Sequence, residues 1–245
     1  MVSKNQIKTI TSLQQKKYRK QHKLFFAEGI KVVQELLNSN FELHQIYTTE
    51  DIFQDVAKGK ITLIAEADLN KISALTTPNV CLALFTIPDE KPVPDEGLIV
   101  ALDDVRDPGN LGTIIRLCDW FGINHLVCSD QCVDAYNPKV VQATMGSLAR
   151  VNISYADLPD YLEKTTLPVY GAFMDGENVY GQALAEQGII VLGNEANGIS
   201  DEVESRVGHR IAIPRFGDLQ QTESLNVATA GAIILSEFRR NFSER

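Results

Sequence analysis

The stretch Leu98-Ile-Val-Ala-Leu-Asp-Asp-Val-Arg-Asp-Pro-Gly-Asn-Leu-Gly-Thr-Ile-Ile-Arg116 decides how the rest of this sequence is read. Its first five residues are all apolar, as in a strand covered on both faces of a sheet. Pro108 and Gly109 then supply a turn, and Asn110 has a side chain suited to capping a helix over Asn110–Phe121. In that helix Leu111, Ile114, Ile115, Cys118 and Phe121 share one face and form a core stripe. Thr113, Arg116 and Trp120 fall on the opposite face. An arginine placed there, in a helix that starts at a strand end, can reach a phosphate or a carboxylate, or can be an ordinary surface residue.

Working outward, strand-like runs recur at His125–Cys128, Val169–Phe173, Ile189–Leu192 and Ile211–Ile213, separated by helical or turn material. Continuous apolar strands alternating with helices predict an α/β domain built on a parallel sheet, with ligands at the carboxyl ends of the strands. A second unusual strand end is Ile189-Ile-Val-Leu-Gly-Asn-Glu-Ala-Asn-Gly-Ile-Ser200. Gly193 and Gly198 have phosphate-loop spacing, but Ile199 stands where that loop needs lysine, and the dinucleotide fingerprint is missing too. The glycines still let the backbone approach a ligand closely. Glu195 is either a working carboxylate or an acid favoured at a helix start. The third strand end is Ile211-Ala-Ile-Pro-Arg-Phe-Gly217, followed by a helix rich in small residues, with Ser224 as its expected N-cap and Asn226 in its first turn.

Before Leu98 the pattern differs. Leu13–Asn38 has helical character broken near Phe25–Gly29, with an apolar stripe at Val32, Val33, Leu36 and Leu37. Short β-like runs follow at Gln45–Thr48, Ile61–Ile64 and Cys81–Thr86. Residues 87–97 hold three prolines and five charges, which suit neither ladder nor helix. A small α/β domain over residues 1–94 and a larger one over 95–245 are therefore expected.

The net charge of −9 hides an asymmetry. Residues 1–31 carry eight basic side chains (Lys4, Lys8, Lys16, Lys17, Arg19, Lys20, Lys23, Lys31) against one acid, Glu28. A basic arm on an acidic body suits a phosphate-seeking surface, or simply a solvated helix face. Cys81, Cys118, Cys128 and Cys132 lie in or beside apolar segments and read as buried thiols; no metal is expected. With no secretory signal and no membrane-length apolar run, a cytoplasmic protein is expected.

Taken in order, the three strand ends resemble the SpoU/TrmH family of SPOUT RNA methyltransferases. Asp107-Pro-Gly-Asn-Leu-Gly-Thr-Ile-Ile-Arg116 looks like the first family motif, Gly193-Asn-Glu-Ala-Asn-Gly-Ile-Ser200 the second, and Ile213-Pro214 with Glu223-Ser-Leu-Asn-Val-Ala-Thr-Ala230 the third. Leu13-Gln-Gln-Lys-Lys-Tyr-Arg-Lys20 with Phe25-Phe-Ala-Glu-Gly29 resembles the substrate-binding domain that precedes the catalytic one in many members. The resemblance implies a catalytic domain with a deep trefoil knot, S-adenosylmethionine as cofactor, a homodimer, and an RNA substrate, ribosomal before transfer RNA. It implies Arg116 as catalytic residue, with Asn110, Glu195, Ser224 and Asn226. Thr144, Leu192, Gly193, Gly198, Ile213 and Leu225 should line the cofactor pocket. The basic Lys16, Lys17, Arg19 and Lys20 should contact RNA.

Three features depart from the family pattern. Ala196 stands where a second glycine is common, the connection Phe216–Thr222 is long, and Gln142 and Thr144 replace the usual arginine and serine. None removes a residue assigned to chemistry. The rival functions are a non-catalytic RNA-binding or ribosome-assembly factor, and a methyltransferase acting on a base. A pure binder would not need all five of Asn110, Arg116, Glu195, Ser224 and Asn226.

Overall fold

The computed structural model describes residues 2–217 and 224–240. The chain forms two compact units. One comprises Met1–Asp89 together with Asp134–Ala149, the other Glu90–Val133 together with Arg150–Arg245.

In the first unit, helices α1 (Lys4–Ser12) and α2 (Lys16–His22) precede strand β1 (Leu24–Glu28) and helix α3 (Ile30–Leu37). The break expected near Phe25–Gly29 is therefore a strand, and Gly29 makes the sharp exit from it at φ +84°. Strand β2 (Leu43–Thr48), strand β3 (Ile61–Leu63), helix α4 (Glu66–Ile72) and strand β4 (Cys81–Thr86) follow. The sheet order is β1-β4-β2-β3, with β4 antiparallel to both neighbours and β2 parallel to β3. Ile10, Leu13, Phe26, Tyr47, Leu69, Ile72 and Leu82 lie in its core, each full burial of such a side chain contributing about 1.5–3 kcal/mol.

The second unit starts with strand β5 (Leu98–Leu102), helix α5 (Pro108–Trp120) and strand β6 (His125–Ser129). Helix α6 (Pro138–Thr144) belongs to the first unit, where it packs on β1. The second unit resumes with strand β7 (Asn152–Ala156), helix α7 (Leu158–Lys164), strand β8 (Val169–Asn178), strand β9 (Gly188–Leu192), helix α8 (Asp201–Glu204), strand β10 (His209–Ala212) and helix α9 (Val227–Arg240). All six strands run parallel in the order β10-β8-β9-β5-β6-β7. Every residue of β5 and β9 is buried, which accounts for their unbroken apolar runs. On one face Ile99, Ala101, Val127, Ile189 and Val191 pack with Leu158 and Leu162 of α7 and Val203 of α8. Helices α5 and α9 pack against each other. Gly231 of α9 comes so close to Leu192 that an added Cβ would stand 3.1 Å from the leucine methyl.

The parallel sheet with helices and the smaller α/β unit agree with the expected fold class; helix α6, inside the expected 95–245 span, groups with the first unit. The knot expectation turns on a path through residues 218–223, as does most of the long Phe216–Thr222 connection; both lie outside the described residues. All four cysteines are buried free thiols.

Candidate active site

Two cap assignments read from sequence are corrected by the structure. Helix α5 begins two residues before Asn110, with Pro108 at its first position, where a missing N–H costs nothing. Its N-cap is Asp107, whose Oδ1 accepts the Asn110 N–H at 2.8 Å. Asn110 is thereby released from capping and its side chain is free to bond elsewhere. Helix α9 begins at Val227, and its cap is Asn226 rather than Ser224. The Asn226 Oδ1 accepts the N–H groups of Ala228 and Thr229 at 3.0 and 3.2 Å.

These two asparagines meet. The Asn226 amide donates to Asn110 Oδ1 at 2.8 Å, and the Asn110 amide donates to Glu195 Oε1 at 2.5 Å. The direction of this chain follows from chemistry. Helix N–H groups occupy the Asn226 oxygen, and an ionised carboxylate can only accept, so both asparagines must donate towards Glu195. One run of hydrogen bonds thus joins the start of α9, the start of α5 and the loop after β9. Glu195 Oε2 takes no hydrogen bond from the described residues.

The loop carrying Glu195 is tightly built. Asn194 and Gly198 exchange backbone hydrogen bonds at 2.8 and 2.9 Å. A Cβ on Gly193 would fall 2.3 Å from the Gly198 carbonyl carbon, so this position excludes any side chain. Gly198 adopts φ +71°, a conformation that favours glycine. Asp103 Oδ2 accepts the Ser200 N–H at 2.7 Å, holding the far end of the loop against the end of β5.

Arg116 is exposed on α5 beside exposed Thr113 and Trp120, the last 84% accessible. Its guanidinium makes no ion pair or hydrogen bond with the described residues. Ser224 and Leu225 are exposed just before α9, Leu225 by 47%. Ile213 follows β10 and is half-buried; Leu192 ends β9 and is buried. Leu192, Ile213 and Leu225 offer backbone groups and apolar side chains, and Gly193 leaves no room for a Cβ. That donor set fits the adenosine and methionine parts of S-adenosylmethionine, with no cluster of metal-ligating side chains among the described residues. Thr144 is placed differently. It lies in the first unit, fully buried, with its hydroxyl donating to the Val141 carbonyl.

Of the basic residues, Lys16, Lys17 and Lys20 are exposed on α2. Arg19 is not, and its assignment to RNA is corrected. It is only 2% accessible, with Nε and Nη2 on Asp134 Oδ2 at 2.9 and 2.5 Å and Nη1 on the Leu13 carbonyl at 2.7 Å. A charge so buried and so fully paired is structural. Sequence reasoning also missed Asp103, Asp107 and Asn194. The available signal was the density of Asp and Asn flanking a Pro-Gly helix start and a glycine loop.

The model of the SpoU rRNA Methylase family matches residues 97–236, the whole span of the three strand ends. The chain belongs to the SpoU rRNA methylase family. The model of an MRM3-like substrate binding domain matches residues 4–83 as well. Among SpoU relatives, the 23S rRNA (guanosine(2553)-2'-O)-methyltransferase RlmP of Bacillus subtilis is 29% identical, over 97% of each chain. A TrmH-family RNA methyltransferase structure from Porphyromonas gingivalis superposes with a TM-score of 0.91 at 41% identity, covering 98% of this chain and 99% of the other. The AdoMet-bound rRNA methyltransferase from Sinorhizobium meliloti gives a TM-score of 0.87 at 28% identity, covering 98% and 97%.

Proposed function

We propose that this protein transfers the methyl group of S-adenosylmethionine to a ribose 2′-hydroxyl of ribosomal RNA. The observation that carries the proposal is the hydrogen-bond chain Asn226–Asn110–Glu195 joining the starts of α9 and α5 to the loop after β9, with the Arg116 guanidinium exposed on the same helix as Asn110. Relatives named as 23S rRNA 2'-O-methyltransferases support ribosomal over transfer RNA.

When bound, S-adenosylmethionine supplies an electrophilic methyl on a sulfonium. Leu192, Gly193, Gly198, Ile213 and Leu225 would hold it, chiefly through backbone groups and apolar contact. Thr144 belongs to this set by resemblance alone. A ribose hydroxyl is a weak nucleophile until its proton leaves. A guanidinium stays charged, so Arg116 is suited to gripping the adjacent phosphate and stabilising the developing alkoxide. Glu195, oriented by Asn110, is a carboxylate able to accept the proton directly or through water. Asn226 keeps Asn110 turned the right way, and the exposed Ser224 hydroxyl completes the polar set.

The exposed Lys16, Lys17 and Lys20 suit contact with RNA phosphates. We also infer a homodimer, for which the exposed Trp120 on α5 is a suitable contact, and a cytoplasmic location. No described helix is long and apolar enough to cross a membrane.

The test is transfer of labelled methyl to ribosomal RNA followed by digestion to nucleosides. Label on a 2′-O-methylribose is expected. Label on a nucleobase would overturn the ribose assignment, and absence of both cofactor binding and transfer would favour a non-catalytic RNA-binding factor.

A further inference from the structure

We propose that Asn194 is the positioning residue of this site: its side-chain amide fastens the β9 loop to the end of β5 and so fixes where Glu195 meets Asn110. This rests on the reading of Glu195 as a working carboxylate.

Glu195 is exposed and, among the described residues, bonds only to Asn110. A glutamate side chain with one partner keeps much of its rotamer freedom, so its place depends on where the backbone holds its Cα. That backbone is governed by Asn194. The Asn194 Oδ1 accepts the N–H groups of Ala196 and Asn197 at 2.8 and 3.1 Å, folding the loop back over itself around Glu195. The Asn194 Nδ2 reaches out of the loop and donates to the Asp104 carbonyl at 2.7 Å. One amide thus shapes the loop with its acceptor and anchors it with its donor.

The anchor point is itself held fast. Asp104 adopts φ +57°, a left-handed conformation that is uncommon for a residue with a side chain. Its N–H donates to Ser129 Oγ at 2.9 Å, from the end of β6. The next residue, Val105, donates its N–H to the buried Cys132 Sγ at 3.2 Å. The Asp104 turn is therefore held through its N–H by Ser129 at the end of β6 and through its carbonyl by Asn194. From this clamped turn the chain passes through Asp107 into α5, which carries Asn110 and Arg116. Asn194 ties Glu195 to the segment that delivers its partner.

The discriminating variant in the full-length protein is Asn194→Asp, which keeps the acceptor for the loop and loses the donor to Asp104. Turnover on ribosomal RNA should fall between about 10-fold and 100-fold, as expected for misplacement of a reacting group by around an ångström. Calorimetric affinity for S-adenosylmethionine should change less than about 3-fold over the same comparison, the loss lying in orientation rather than binding. Native turnover, or cofactor affinity falling in parallel with turnover, would overturn the proposal. Should Asn194→Asp fail to fold, Asn194→Ser keeps an acceptor near the Ala196 N–H, cannot span to Asp104, and carries the same expectation. Glu195→Ala separates the premise from the inference. Full activity in Glu195→Ala removes the role of the carboxylate, whereas loss there with a normal Asn194→Asp removes only the positioning role.

Discussion

Asn226 donates its side-chain amide to the side-chain oxygen of Asn110 across 116 positions of sequence, at 2.8 Å. The same asparagine caps α9 through its oxygen, so its structural role and its proposed site role can be separated by substitution. Asn226→Ala should lose both: about 1 kcal/mol of stability from the cap, together with turnover. Asn226→Asp keeps the cap and loses the donor, so thermal stability should stay near native while turnover falls. Melting curves beside initial rates check this. Equal turnover in Asn226→Asp and the native protein would show that the chain to Glu195 is not used.

Arg116 gives the sharpest activity prediction. Because it pairs with none of the described residues, Arg116→Ala should leave stability within about 0.5 kcal/mol of native, as for ordinary surface sites. Methyl transfer should drop by at least about 100-fold, the scale of losing one donor to a developing oxyanion. Cofactor affinity should be nearly unchanged. Calorimetry and single-turnover rates test the three statements separately, and normal turnover would remove Arg116 from the chemistry.

The basic helix α2 divides into surface and core. Lys16, Lys17 and Lys20 changed together to Ala should weaken RNA binding and lower the slope of log affinity against log salt by about 0.9 for each duplex phosphate left without its lysine. Arg19→Ala should act differently. It leaves the half-buried Asp134 without its partner, for which about 3–5 kcal/mol is the upper range, so this variant should melt earlier or fail to accumulate. Unchanged salt slope in the triple variant would make the helix a bystander.

Glu28 supplies a pH prediction. Burial pushes its carboxyl above the ordinary value of 4.5, although bonds from Ser73 and the Ala74 N–H oppose the shift. The folded protein therefore keeps a proton that the unfolded chain has already released. Its contribution to stability is fullest below pH 4.5 and is lost as pH rises through the raised value. Glu28→Gln should remove that slope and make the protein more stable at neutral pH. Denaturant titrations across the acid range check this; a slope unchanged by the substitution would rule Glu28 out as its source.

The sequence by itself determined the class of fold and pointed to the three segments of the candidate site. Those facts are written locally: β5 and β9 are buried on both faces, so all their residues must be apolar, and the glycines and prolines after them mark turns whatever the surroundings. The exposed face of α5, with Thr113, Arg116 and Trp120, was equally legible, because helical periodicity alone assigns it. Tertiary structure decided which polar side chains meet. Asn110 and Ser224 looked like caps because Asn and Ser both cap helices well, but Asp107 and Asn226 hold those places, and a shift of two or three residues in a helix start is invisible to composition. Arg19 looked like its neighbours Lys16, Lys17 and Lys20, and only the approach of Asp134, from 115 positions away, makes it a buried ion pair. The roles of Asp104 and Asn194 were hidden for the same reason: a left-handed turn and the amide that grips it are set by strands adjacent in the sheet, not in the chain.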